Sequence, residues 1–403
     1  MEDFILQVII ALLAAKIIGE VFRKAYIHPL VADIIIGIIL GPSLLGFLDP
    51  TSGIKYLAYF GLIILMFYAG LTSNLKVLTE YKGMIIATGV SGVIVTFLLV
   101  LSTCLLQGIG IWTALFIAIV LSNTATEVTA IITEAEEKFP SRIKTILVGA
   151  SFVDDVLAVY FITTLRLIVT GSREFQLLIF KTIEIMLFIF LVLYVSRLLV
   201  TRATRTIYKL FSTPARAVSS TIIIVFTLSL IARIIGLNEV IGAYLGGLAV
   251  SRLREIRDPT LINILRIEEL AHNLRVMLEG FLTAFFFIYV GLLYNIHIGI
   301  EQLLFTLTLL IPALAGKIIG CSIPILLSNK NIREALIVGI GMTGRGALES
   351  AILVFALEAG IINNIIYSVI LTTTLASTII APITLRIAVK RLKPFTKIES
   401  RTG

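Results

Sequence analysis

The sequence predicts an all-α polytopic membrane protein of about 13 transmembrane helices, and three observations carry that prediction. Hydrophobic residues fill 58% of the 403 positions and charged residues only 14%, which leaves too little polar surface to coat a water-soluble globule. Apolar runs of about 20 residues, the length that crosses a hydrocarbon core as a helix, recur from end to end. Lys and Arg gather in alternate connections between those runs, the distribution expected of loops that alternate between the two sides of a bilayer. The lipid bilayer is therefore the expected environment.

The first run, 3 to 21, has the length of a signal peptide. It starts on the acidic Met1-Glu2-Asp3 and is interrupted by Lys16 and Glu20, so it reads as a retained span. Runs at 28 to 46, 54 to 71 and 84 to 106 follow, then one at 112 to 132 that opens on Trp112, an expected interface anchor. The sixth run, 143 to 170, holds Asp154 and Asp155, and the seventh is 177 to 200. Runs at 217 to 235, 238 to 255, 271 to 294, 301 to 328, 334 to 358 and 362 to 389 complete the series. Arg233 and Glu239 bracket a short turn and are expected to form a local contact. Cys104 and Cys321 lie inside apolar runs without metal-ligand spacing and read as small core residues. His28, His272 and His297 lie near span ends and read as structural.

Charge then sets orientation. Arg23/Lys24, Lys76/Lys82, Lys138/Arg142/Lys144, the group from Arg197 to Arg216, Arg252/Arg254/Arg257, Lys330/Arg333 and the tail from Lys390 fall in one set of connections. The other set holds little beyond Arg173, with Asp49 and Glu301, so the N-terminus is expected outside and the C-terminus in the cytoplasm of a plasma-membrane protein. The net charge of +8 thus reports topology, and no nucleic-acid partner is expected. The longest basic connection, 197 to 216, follows the seventh run. Six spans before that run and six after it make two halves of opposite orientation, 1–170 and 217–389, joined by a linker helix at 177–200 and followed by a tail at 390–403. No soluble regulatory domain is expected.

Adjacent acids at bilayer depth are costly, so Asp154 and Asp155 are a functional-site hypothesis in their own right. Three intramembrane features belong with them. The fifth run contains Leu121-Ser122-Asn123-Thr124-Ala125-Thr126-Glu127, a polar stretch whose side chains compete for backbone hydrogen bonds. Its counterpart, the twelfth run, contains Gly339-Ile340-Gly341-Met342-Thr343-Gly344-Arg345-Gly346, where four glycines in eight residues invite a break. Glycine for close helix packing is the competing reading of either alone. Their matching places in the two halves favour a pair of broken helices that present bare carbonyls and dipole ends to ions. Lys317, midway along the eleventh run, needs a carboxylate partner, for which Asp154 or Asp155 is available.

These residues, with the segments His28-Pro29-Leu30, Gly37 to Gly46 (Gly-Ile-Ile-Leu-Gly-Pro-Ser-Leu-Leu-Gly), Phe67-Tyr68-Ala69-Gly70-Leu71 and Ile241 to Leu248, resemble the cation/proton antiporter superfamily, the sodium/proton exchangers, over essentially the full length. Phe152-Val153-Asp154-Asp155-Val156 matches that superfamily's paired-acid motif. The resemblance implies a homodimer with a scaffold domain, an ion-carrying domain with two crossed broken helices, and elevator-like alternating access. It maps Asp155 to the shared ion-binding acid, Asp154 to the acid of the electrogenic branch, Lys317 to that acid's partner, and Thr124 to a threonine lining the cation site. Two departures stand out. The acid of the usual Pro-Arg-Gly-Glu string is replaced by Ala347, and Glu127 is an extra acid, which suggests a compensating pair with Arg345. Asn123, Thr126, Thr343 and Gly344 complete the expected broken-helix set.

The chemistry follows from the residues as well. Asp155, in a poorly hydrated cavity, is expected to exchange protons near the pH at which the cell works. Sodium, like lithium, prefers hard oxygen ligands, so proton and cation compete for the same oxygens. That competition suffices for exchange, with no cofactor beyond the transported ions. A potassium/proton antiporter and a sodium-coupled organic-anion symporter remain alternatives. An intramembrane aspartyl protease would need its two acids on separate helices, and a channel would need a continuous polar lining. No enzymatic activity is expected.

Overall fold

The computed structural model describes residues 2–24, 27–50, 52–72, 81–125, 141–169, 213–234, 239–252, 262–295 and 299–391, with three isolated helical positions, Ile183, Leu187 and Tyr194, between 170 and 212. All regular structure among the described residues is helical. The elements are α1 (Glu2–Lys24), α2 (Pro29–Leu40), α3 (Ser52–Thr72), α4 (Lys82–Leu106), α5 (Ile111–Val120), α6 (Ser141–Val169), α7 (Pro214–Ile234), α8 (Glu239–Ser251) and α9 (Ile262–Met277). A π-helical turn at Leu278–Leu282 leads into α10 (Thr283–Leu292), followed by α11 (Ile300–Asn329), α12 (Ile332–Gly341), α13 (Ala347–Glu358) and α14 (Asn364–Arg391). Seven helices among the described residues are long and apolar enough to cross a membrane.

Helix limits follow local chemistry. Pro29 opens α2, where its missing amide costs nothing, and the His28 imidazole accepts the Leu30 amide at 3.1 Å, so this histidine is a cap. The run expected at 28 to 46 stops being helical at Leu40, because residues 41–46 fold into turns that end on Gly46 at φ +60°. Asn331 caps α12 by accepting the Arg333 and Glu334 amides at 3.1 and 3.4 Å. The expected run 271 to 294 is α9, the π turn and α10 in one continuous path. Arg233 and Glu239 form the local ion pair expected of them, at 3.3 Å and largely exposed. The seventh run, 177 to 200, falls almost entirely outside the described residues.

The helices pack in two groups. In one, α11 lies along α4 and also meets α12 and α14, while α6 packs on α4, α5 and α12, and α13 packs on α14. In the other, α2 pairs with α10 and α1, α3 with α8 and α10, and α7 with α8 and α9. The groups meet where α13 packs against α3 and α10, where α14 packs against α2, and where Phe152 of α6 stacks on Tyr244 of α8 with ring centroids 6.1 Å apart. A row of hydrogen bonds ties them at one end. Glu358, the last residue of α13, receives Lys55 at 3.0 Å, the Tyr289 hydroxyl at 2.9 Å and the Tyr59 hydroxyl. On α14, the Tyr367 hydroxyl donates to the Val290 carbonyl at 2.7 Å, and Ser368 accepts the Asn295 amide at 2.8 Å.

Apolar surface on α1, including Ile5, Ile9, Leu13, Ile17 and Val21, is exposed at every fourth residue, as suits a helix face solvated by lipid. Close backbone approach, not hydrophobic exclusion of water, therefore has to select the internal contacts. The α2–α10 crossing is the clearest case. A Cβ on Gly37 would lie 2.9 Å from the Gly291 Cα, and a Cβ on Gly291 would lie 2.8 Å from the Gly37 Cα. Gly37→Val is accordingly expected to destabilise the protein by about 1–3 kcal/mol through overpacking, read as a lower melting temperature in detergent by scanning fluorimetry. Leu98→Ala, on an exposed face of α4, is expected to leave the melt nearly unchanged.

Candidate cation site

The paired acids owe their position to one stripe of α6. Leu147, Ala150, Ser151, Asp154, Asp155 and Ala158 are buried at helical spacing, while Val156 looks outward. The stripe is aimed at the centre of the first helix group. Lys317 comes to the same place from α11 and forms an ion pair with Asp154, both side chains at 0% exposure. Of the two partners open to Lys317 in the sequence, the structure selects Asp154. Gly92 of α4 makes room for this arrangement: a Cβ there would collide with the Cys321 sulfur and lie 3.7 Å from the Lys317 Nζ.

Both polar runs break their helices. α5 ends at Val120, and residues 123–125 are non-helical; α12 ends at Gly341, and α13 begins only at Ala347. The two breaks are joined to each other. The Ala125 amide donates to the Gly344 carbonyl at 2.9 Å, and the Thr124 hydroxyl donates to the Met342 carbonyl at 2.8 Å. From α14, Ser377 donates to the Thr343 carbonyl at 2.6 Å and Thr378 to the Arg345 carbonyl at 2.8 Å. Thr343 itself turns back to the Ile340 carbonyl at 2.7 Å. Non-helical backbone at membrane depth survives where protein groups satisfy it, and these bonds do so.

Asp155 sits beside the first break, where the Asn123 side-chain amide donates to its Oδ1 at 3.4 Å. Thr124 lies against Asp154. The Oδ1 atoms of Asp154 and of Asn123 have no hydrogen-bond partner among the described residues. The site therefore gathers hard oxygens from two carboxylates, an amide and a hydroxyl, some of them unsatisfied, in a setting shut off from bulk solvent. That donor set fits a small monovalent cation or a proton.

Arg345 is fully buried in the second break, with its Nη2 directed at the Ala313 carbonyl at 3.5 Å. Its expected partner, Glu127, lies outside the described residues, as does Thr126. Among the described residues, a carboxylate that acts on Arg345 is Glu349, at 1% exposure on the first turn of α13. Glu349 was the residue missed from the sequence. Its signal was an acid inside the apolar run 334 to 358, two positions after the alanine that interrupts the familiar motif.

With that geometry in place, similarity to known proteins becomes interpretable. The family described as sodium/hydrogen exchanger, transmembrane, matches residues 8–391. The Na(+)/H(+) antiporter of Enterococcus hirae is 28% identical over 397 residues, covering 97% of this chain and 99% of that protein. The Na(+)/H(+)-K(+) antiporter GerN of Bacillus cereus is 24% identical over 387 residues, covering 94% and 95%. In structure, the sodium proton antiporter MjNhaP1 from Methanocaldococcus jannaschii superposes with a TM-score of 0.70 over 96% of this chain and 99% of that one, at 15% identity. That last likeness bears on the fold alone and gives it as the sodium/proton antiporter fold. The chain belongs to the transmembrane sodium/hydrogen exchanger family.

Proposed function

We propose that this protein exchanges sodium, or lithium, for protons across the cell membrane by alternating access, as a secondary active transporter. The observation that carries the reading is the meeting of Asp155, the Asp154–Lys317 pair and the joined breaks of α5 and α12–α13 at one buried point. Asp155 and Thr124, with Asp154 and Asn123, would hold the ion. A proton on Asp155 and a sodium ion among the same oxygens exclude each other, so a carrier that reorients only when loaded swaps one for the other on each cycle.

Reorientation would move the helix group that holds α4–α6 and α11–α14 against the group that holds α1–α3 and α7–α10. The hydrogen-bonded row at Glu358, Tyr367 and Ser368 would close one end of the seam between them. By the distribution of Lys and Arg that end is the outer one, with the N-terminus outside and the C-terminus in the cytoplasm. The two halves, 1–170 and 217–389, would supply one broken helix each. A homodimer built on the second group would give the moving group a fixed frame.

Asp154 and Lys317 would set the charge carried. Sodium drawn to Asp154 competes with the ammonium of Lys317; once released from its carboxylate in a dry site, Lys317 gives up its proton. Two protons then move against one sodium ion, and transport is electrogenic. Potassium is the second reading, favoured by one observation: the relative GerN carries potassium in its name. Selection between the two ions rests on the size of the oxygen cage.

Proton flux out of acid-loaded proteoliposomes, followed with a pH dye while sodium, lithium or potassium is added outside in turn, tests the reading. Wild type is expected to alkalinise an acid lumen on sodium addition. Asp155→Asn, folded to the same melting temperature, is expected to lose at least about a hundredfold of that flux, consistent with loss of a bound charge at the transported ion. Full activity in this variant, or flux indifferent to every cation, would sink the proposal. The double variant Asp154→Asn/Lys317→Gln is expected to keep sodium/proton exchange but to lose its response to a potassium/valinomycin clamp. Retained voltage dependence would place the electrogenic step elsewhere.

A further inference from the structure

Glu349 has no part in the exchange chemistry above, yet it is a carboxylate at 1% exposure beside Arg345 at 0%. Its Oε2 accepts the Gly346 amide at 2.9 Å, a cap of the kind that glutamate makes at the third position of a helix. Capping accounts for one oxygen and, through the amides and dipole of the helix start, for part of the charge. The other oxygen, Oε1, has no hydrogen-bond partner among the described residues, and neither have Nε and Nη1 of Arg345. Among the described residues the two charges lie close enough to act on each other, with Asp154 also acting on Arg345 and Lys317 on Glu349. Buried ions are costly unless an opposite charge offsets them, so a pair retained without direct bonding calls for a reason other than stability.

The fixed charge of Arg345 supplies one. The buried ionisable acids and bases among the described residues of the ion-holding helices are Asp154, Asp155, Glu349, Lys317 and Arg345. Lys317 is paired with Asp154, and Asp155 lies at the cation site, which leaves Glu349 as the carboxylate of this set placed to offset Arg345. Without it the guanidinium would oppose a cation held among the oxygens of Asp154 and Asp155 in a low dielectric.

We propose that Glu349 is a positioning residue for cation binding: it offsets the fixed charge of Arg345, so that Asp154, Asp155, Thr124 and Asn123 receive a monovalent cation without that repulsion. This deepens the exchange reading and rests on it. Arg345 in turn is held by the second break, whose carbonyls Ser377 and Thr378 secure from α14. The charge balance is thus built into the same backbone that shapes the site.

Glu349→Gln separates charge from capping, because the amide keeps an oxygen for the Gly346 N–H. With full-length protein in proteoliposomes, E349Q is expected to raise the sodium concentration for half-maximal proton flux roughly tenfold, with the maximal rate changed less than about threefold. E349D is expected to stay near wild type. The double variant Arg345→Gln/Glu349→Gln, with the balance restored, is expected to recover most of the lost sodium affinity. An unchanged sodium requirement in E349Q, or a double variant worse than E349Q, overturns the proposal and leaves Glu349 as a cap. Should E349Q not survive purification, the double variant decides: rescue to a folded protein with near wild-type sodium requirement supports charge balance, and no rescue overturns it. Wild type and Asp155→Asn run alongside. If wild type itself lacks cation-driven flux, the exchange reading fails; sodium titrated calorimetrically into purified wild type and E349Q then reads the charge effect alone, equal affinities overturning it.

Discussion

Backbone that leaves the helix inside a bilayer must find its hydrogen bonds in protein, and the rest of this site depends on how that demand is met. Each break alone would expose amides and carbonyls to a medium that cannot solvate them. Joined, the two breaks satisfy each other through the Ala125 amide, the Gly344 carbonyl and the Thr124 hydroxyl, and α14 supplies Ser377 and Thr378 for what remains. This fixes the position of Thr124 and Asn123, hence of the hydroxyl beside Asp154 and of the side-chain amide that donates to Asp155. It also holds Arg345 at full burial, so the charge that Glu349 offsets is a consequence of the same joint.

The ion pair between Asp154 and Lys317 belongs to this arrangement and is not an independent source of stability. Desolvating both ions costs much of what their attraction returns, and an apolar pair of the same volume would serve packing at least as well. What the pair supplies is a carboxylate whose counterion is a proton-bearing amine. An arginine could not release a proton there, since its guanidinium stays charged under all ordinary conditions. The presence of lysine at the acid, and of arginine away from it, divides the two basic residues into one that can change charge and one that cannot.

Much of this was legible in the sequence because membrane segments obey few rules. Span length, the alternation of Lys and Arg and the rarity of charge in apolar runs are strong signals, and they located the helices and singled out Asp154, Asp155 and Lys317. The breaks were legible from composition, as Ser, Asn and Thr in one run and four glycines in the other. The residues alone left Asp154 and Asp155 both open as the partner of Lys317, since adjacent residues on a helix differ by about 100° in direction; the family resemblance pointed to Asp154, and the buried Asp154–Lys317 pair agrees with it. The π turn inside the tenth run and the early end of α2 were beyond reach, because apolar periodicity continues through both. Glu349 escaped for a different reason. The motif places its acid at position 347, whereas α13 begins only after Gly346 and carries Glu349 in its first turn, where it acts on Arg345.

The distribution of charge between the two helix groups has a mechanical consequence. Asp154 and Asp155 on α6, Lys317 on α11, and Arg345 with Glu349 at the α12–α13 junction all belong to one group. Every strong buried interaction at the site among the described residues is therefore internal to that group and would survive the displacement proposed for it. The contacts that join the two groups are of another kind: an ion pair and hydroxyl bonds to the partly exposed Glu358, two further hydrogen bonds from α14, and one aromatic stack. Bonds of this sort contribute about 0.5–1.5 kcal/mol each when water or another polar group can replace them. A seam held by such interactions can open and reform, while breaking any buried ion pair in transit would cost several kcal/mol. A loaded site carried inside one body would pass the second group without breaking a buried interaction against it, and so without desolvating its charges a second time.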